Sequence, residues 1–149
     1  AFIVLCRAKT FKYEEAVDQI PQFWAEHFST GGNNVVCGMY GISLEKSAGG
    51  NEFTYLIADI YNPSGEIPDG YVIHTIPAYT WAVFSCTGAM PSAIQKLNHQ
   101  IFSEWLPTNS DYKIAAGINV EMYSDASKFE NGVQDQSYYC EIWIPVEKK

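Results

Sequence analysis

The chain has 149 residues with 17 Asp and Glu against 9 Lys and Arg, a formal charge of -8, so it lacks the basic footprint of a direct nucleic-acid or anionic-membrane binder. Its 47% hydrophobic and 17% charged residues are those of one globular domain, spanning 1–149. An aromatic share of 15% suits a cavity lined by rings.

Cys6, Cys37, Cys86 and Cys140 are widely spaced, each in an apolar run. Without a Cys-x-x-Cys pair or clustered histidines, they read as reduced core thiols rather than a zinc site. The opening run Phe2 to Cys6 is too short for a signal peptide or a membrane span, which points to the cytoplasm. No metal or cofactor motif is present, and no phosphate loop or Gly-x-Ser-x-Gly elbow.

In chain order, residues 1–9 read as a strand and Glu14 to Phe28 as a helix, with Ala16, Val17, Ile20, Trp24 and Phe28 along one face. Pro21 predicts a kink or a late start. Two strands follow, about Val36 to Glu45 and Glu52 to Ile60, joined by a turn rich in glycine over 46–51. A loop with Pro63, Gly65, Pro68 and Gly70 leads to a strand from Tyr71 to Ile76. The order then starts again: a strand over Ala78 to Cys86, a helix over Pro91 to Trp105, and strands over Ile114 to Tyr123 and Ser137 to Val146.

The second half therefore mirrors the first, as repeats of about 1–61 and 77–149. Gly41-Ile42-Ser43-Leu44-Glu45 aligns with Gly117-Ile118-Asn119-Val120-Glu121, and the first helix's stripe falls on Ala93, Ile94, Leu97, Ile101 and Trp105. Duplication predicts a pseudo-twofold α+β fold of two β-α-β-β modules, with a groove between them for a ligand.

Two carboxylates sit inside apolar strands, Glu121 in Ile118-Asn119-Val120-Glu121-Met122-Tyr123 and Glu141 in Tyr139-Cys140-Glu141-Ile142-Trp143. Removing a carboxylate from water is costly unless something pairs with it. Strand alternation sends Ile118, Val120, Met122, Tyr138, Cys140, Ile142 and Ile144 to the helix side. It leaves Asn119, Glu121, Tyr123, Tyr139, Glu141 and Trp143 on the other, joined there by Gly41, Ser43, Glu45, Tyr55, Ile57 and Asp59. Rings beside a carboxylate suit a bulky cationic or amphipathic aromatic molecule, each ring contributing about 0.5–2 kcal/mol. The candidate ligand residues are Asn119, Glu121, Tyr123, Tyr139, Glu141, Trp143 and Tyr55. Trp81 and Trp105 read as core anchors, and His27, His74 and His99 as solvated or core-edge positions.

The order of elements, Ile76-Pro77-Ala78 leading into Trp81-Ala82-Val83-Phe84, the helix end Glu104-Trp105-Leu106-Pro107, Glu121-Met122-Tyr123 and the closing Glu141-Ile142-Trp143-Ile144-Pro145-Val146 resemble the GyrI-like effector-binding domain, the ligand-sensing module of many AraC-type and MerR-type bacterial regulators. The resemblance implies a curved antiparallel sheet, two long helices on one face, and a central groove for cationic aromatic compounds of the multidrug kind. It implies groove roles for Glu121, Glu141 and Trp143. These residues include no helix-turn-helix segment, so any DNA-binding function would come from a further part of the protein or from a partner. The resemblance also carries two alternatives: hydrolysis of cyclopropane-type or other electrophilic compounds by a groove glutamate, and inhibition of DNA gyrase through a topoisomerase partner.

Overall fold

The computed structural model describes residues 1–45, 50–63 and 66–149. The turn residues 46–49 and Gly65 lie outside the described residues. The chain divides into two compact units, Ala1–Ala78 and Tyr79–Lys149. Each is an antiparallel sheet with one long helix against it, so the fold class is α+β.

In the first unit β1 (Phe2–Lys12) runs straight into α1 (Tyr13–Ser29), followed by β2 (Tyr40–Glu45), β3 (Glu52–Ile60) and β4 (Val72–Ile76). The sheet order is β4-β1-β3-β2. α1 has Glu14 and Glu15 in its first turn, where negative charge is favourable to the helix dipole. It runs through Pro21, which is exposed and does not mark a late start. Gly31 closes it at φ 78°, a left-handed conformation that costs glycine little.

The buried stripe of α1 is rotated from the one expected. Phe23 and His27 are buried with Ala16, Ile20 and Trp24 packed alongside, while Val17 is 82% and Phe28 50% exposed. His27 is thus no core-edge residue. Its Nε2 lies 2.8 Å from the Val36 carbonyl oxygen, and its Nδ1 is packed against Gly32, where a Cβ would approach within 2.4 Å.

The strand expected from Val36 begins only at Tyr40, because the Asp59 carboxylate takes the amides of Cys37, Gly38 and Met39 at 2.7, 3.0 and 2.9 Å. Those donors are lost to the ladder. Cys37 is exposed, whereas Cys6 and Cys140 are buried and Cys86 half-buried, so the all-core reading of the thiols fails at one position.

In the second unit β5 (Thr80–Thr87) leads to α2 (Ser92–Gln100), which continues through a π turn (Ile101–Trp105) into a last α turn (Leu106–Thr108). The strands β6 (Tyr112–Ile114), β7 (Ile118–Tyr123) and β8 (Tyr139–Lys148) follow. β8 is central, with β5 on one side and β7 and β6 on the other. The strand expected from Ile114 to Tyr123 is split in two, and Ala115 in the break donates to the Pro145 carbonyl at 2.8 Å. Proline returns no N–H to that edge, so the ladder is interrupted beside it.

α2 packs on β5 and β8. Ile94 and Ile101 are buried with Cys140, Ile142, Ile144 and Val146, and Ala93, Leu97 and Trp105 pack around them, the stripe read from the sequence. Both units place one strand between two others, β3 between β1 and β2, β8 between β5 and β7. Among the described residues no helix is long and apolar enough to cross a membrane.

Candidate functional site

β8 divides its side chains as alternation requires. Cys140, Ile142 and Ile144 enter the core under α2, which leaves Tyr139, Glu141 and Trp143 on the opposite side. Residues two apart on a strand share a face, so these three can bond to one another. The Tyr139 Oη donates to Glu141 Oε2 at 2.5 Å, and the Trp143 Nε1 donates to Glu141 Oε1 at 2.9 Å. Each carboxylate oxygen thereby has a donor supplied by the same strand. That answers how a glutamate is tolerated in this apolar run.

Both donors are neutral, so they orient the carboxylate and disperse its charge without cancelling it. The effect on Tyr139 is visible: its hydroxyl pKa is raised, first by the hydrogen bond to Glu141, then by desolvation and by the carboxylate's charge. All three residues are half-buried. β5 completes the face, with Ser85 opposite Glu141, Val83 opposite Trp143 and Trp81 opposite Pro145. The Trp81 and Trp143 rings lie 6.2 Å apart at 58°, and Tyr79 meets Trp81 edge-on at 5.7 Å. The result is an oriented anion beside a row of rings.

The other candidates are not brought to this cluster. In β7, Val120 lies opposite Trp143 and Met122 opposite Glu141, so Glu121 falls opposite Ile142 and Tyr123 opposite Cys140. The expectation that the two glutamates share a face is therefore corrected: Glu121 and Tyr123, with Asn119 by alternation, are on the α2 side. There burial, then Cys86 and last the charge of Glu121 push the Cys140 thiol up to about 12. The physical reason is that β7 buries an apolar side chain on the face away from α2 as well. Val120, on that face, is 0% exposed, so an apolar residue in β7 does not identify the helix side.

Tyr55 is corrected in the same sense. Its hydroxyl accepts from Trp24 Nε1 at 3.1 Å and its ring meets Phe23 of α1 at 6.5 Å, which places it in the core beneath the helix. Ile57 packs there as well, and Gly41, Ser43 and Glu45 lie opposite Ile57, Tyr55 and Phe53. The first unit's sheet is covered on both faces, since Ile42, Leu56 and Ala58 on the other side are 0–1% exposed.

Trp81 and Tyr79 are the site residues that sequence reasoning passed over. Trp81 and Phe84 differ in strand parity, and Phe84 is the one whose ring meets Trp105 in the core, at 4.9 Å. Only one of the two could be a core anchor beside α2, and parity was the available signal. Among the described residues no group of His, Cys, Asp and Glu is arranged to hold a metal ion.

Solved structures share this fold. A protein designated SAV2435, solved bound to tetraphenylphosphonium, superposes with a TM-score of 0.83 at 20% identity over 98% of this chain and 88% of its own. A protein described as a bacterial transcription regulator from Staphylococcus aureus MU50 gives 0.73 at 20% identity over 98% and 92%. An integron cassette protein from the mobile metagenome of Vibrio cholerae gives 0.71 at 17% over 98% and 90%. At such identities the likeness establishes the fold alone, and the fold is that of the GyrI-like effector-binding domain. No curated protein matches the sequence. The family model for Cass2, an integron-associated effector binding protein, matches residues 2–146, and the chain belongs to that family.

Proposed function

We propose that this chain binds a bulky cationic or amphipathic aromatic small molecule, acting as a bacterial cytoplasmic sensor or sequestering protein of the multidrug type. The observation that carries the reading is the Glu141 carboxylate, held by Tyr139 and Trp143, with the Trp81 ring packed against that of Trp143. An aromatic cation against this face gains ring stacking, cation-π attraction and the carboxylate's charge at once. Because the carboxylate is already oriented, little ordering remains to be done when the ligand arrives. Membership of an effector-binding family supports small-molecule binding in general. The ligand of SAV2435, a phosphonium carrying four phenyl groups, has the chemistry this face suits.

The output of binding, transcription control through a DNA-binding partner or simple sequestration, lies downstream of the ligand. The hydrolytic alternative would use the same carboxylate to orient a water molecule, and no observation favours it over binding. The test is quenching of tryptophan emission by tetraphenylphosphonium in the wild type, Glu141→Gln and Glu121→Gln. Glu141→Gln weakens binding about tenfold and Glu121→Gln leaves it within about twofold. Equal affinity in the wild type and Glu141→Gln overturns this site, and a loss confined to Glu121→Gln moves it to the α2 side.

A further inference from the structure

β5 stands at the end of its sheet. It pairs with β8 along one edge, and among the described residues no strand pairs with the other. Proteins ordinarily guard such an edge with lysine, proline, a bulge or a very short strand, since its open N–H and C=O groups are a template for another chain. Thr80–Thr87 is eight residues long with no proline and no charge, and Val83 at its middle is 54% exposed. The strand lies inside the longest uncharged run of the sequence, from Gly70 to Gln95, in a chain of net charge -8.

That combination selects the occupant. A basic partner would be drawn to the acidic remainder of the surface rather than to a neutral strand. Two copies of an acidic chain repel one another wherever their charges meet, and least where both are neutral. β5 is such a place and carries the pattern that complements it. We propose that β5 pairs antiparallel with β5 of a second copy, about a twofold axis through Val83. An axis normal to the sheet keeps the faces aligned, so Val83 meets its own copy, Ala82 the copy of Phe84, and Trp81 the copy of Ser85. The central contact is between two β-branched residues, a favourable cross-strand pair, with no like charges opposed. The interface is isologous and closes at two chains.

Sedimentation velocity over roughly 5–500 µM tests it, a range that brackets the affinity a single paired edge supplies. The wild type moves from the mass of one chain toward two and stops there. Val83→Lys sets two lysines against each other at the axis and shifts the midpoint at least about tenfold upward. Val17→Lys, at an 82% exposed position on α1, leaves it unchanged. Thermal melts of both variants confirm that they fold. A wild type that stays single throughout, a dimer indifferent to Val83→Lys, or growth beyond two chains, the mark of head-to-tail pairing, each overturns the proposal.

Discussion

Rings and charges meet in both units, but with opposite sign. In the first, Lys9 Nζ lies 5.5 Å from the Phe11 ring centre and 6.0 Å from that of Phe23. The Arg7 guanidinium is 5.9 Å from Phe23 and pairs with Glu26 at 3.2 Å. In the second, the Trp143 ring adjoins a carboxylate and the Trp81 ring packs against Trp143. Rings with a cation of the chain's own are an internal contact already made. Rings beside an anion that is oriented by neutral donors are suited to a cation from outside. The pairing, not the aromatic content, separates a packing surface from a receptive one.

The comparison is most strongly strained by breaking the first unit's double-sided packing. Leu56→Ala and Ile57→Ala remove side chains from opposite faces of β3, 1% and 0% exposed, and each costs about 2–5 kcal/mol in chemical denaturation. A loss at only one of the two contradicts burial on both faces. Next is Gly32→Ala, which drives a methyl group into His27 and costs about 1–3 kcal/mol. Adding it to His27→Ala costs less than adding it to the wild type, and strict additivity contradicts the contact.

The contrast between the units is sharpened by Trp143→Phe. This keeps a ring and removes one donor from Glu141, so tetraphenylphosphonium binds about fivefold weaker, roughly 1 kcal/mol. Lys9→Ala, in the first unit, leaves that affinity unchanged, and equal losses erase the distinction.

Alkaline titration follows. Burial raises Tyr138 from 10.0 to about 12 and Cys140 from 9.0 to about 12, and Cys6 in the first unit from 9.0 to about 11. The unfolded chain releases these protons first, so the contribution of these three groups is constant below about pH 9 and falls as pH climbs toward 12. Urea midpoints at rising pH measure it, and a flat or rising profile contradicts the burial. The smallest effect belongs to Arg7→Ala, whose partly exposed pair with Glu26 contributes under about 1 kcal/mol.

The order of elements and the core side of β8 were legible in the sequence because their signals are local. Cys140, Ile142 and Ile144 alternate with polar or amphipathic neighbours, and α2 carries its stripe without interruption. The faces of β3 and β7 were not legible. Tyr55 and Leu56 are both buried, and so is Val120 on the side away from α2. A strand covered on both sides presents no wet face from which parity can be set. Register supplies the missing information, and register depends on the neighbouring strand. The loss of β-structure at Cys37 to Met39 likewise depends on Asp59, a residue twenty and more positions away.

The clamp on Glu141 is built from its own strand, two residues before and two after, while the intervening positions hold the sheet to its helix. On the proposed reading, substitutions at Tyr139 and Trp143 would retune which compounds are accepted while Cys140, Ile142 and Ile144 keep the scaffold intact. One ten-residue segment would then let chemical preference change in small steps, without rebuilding the body that carries it.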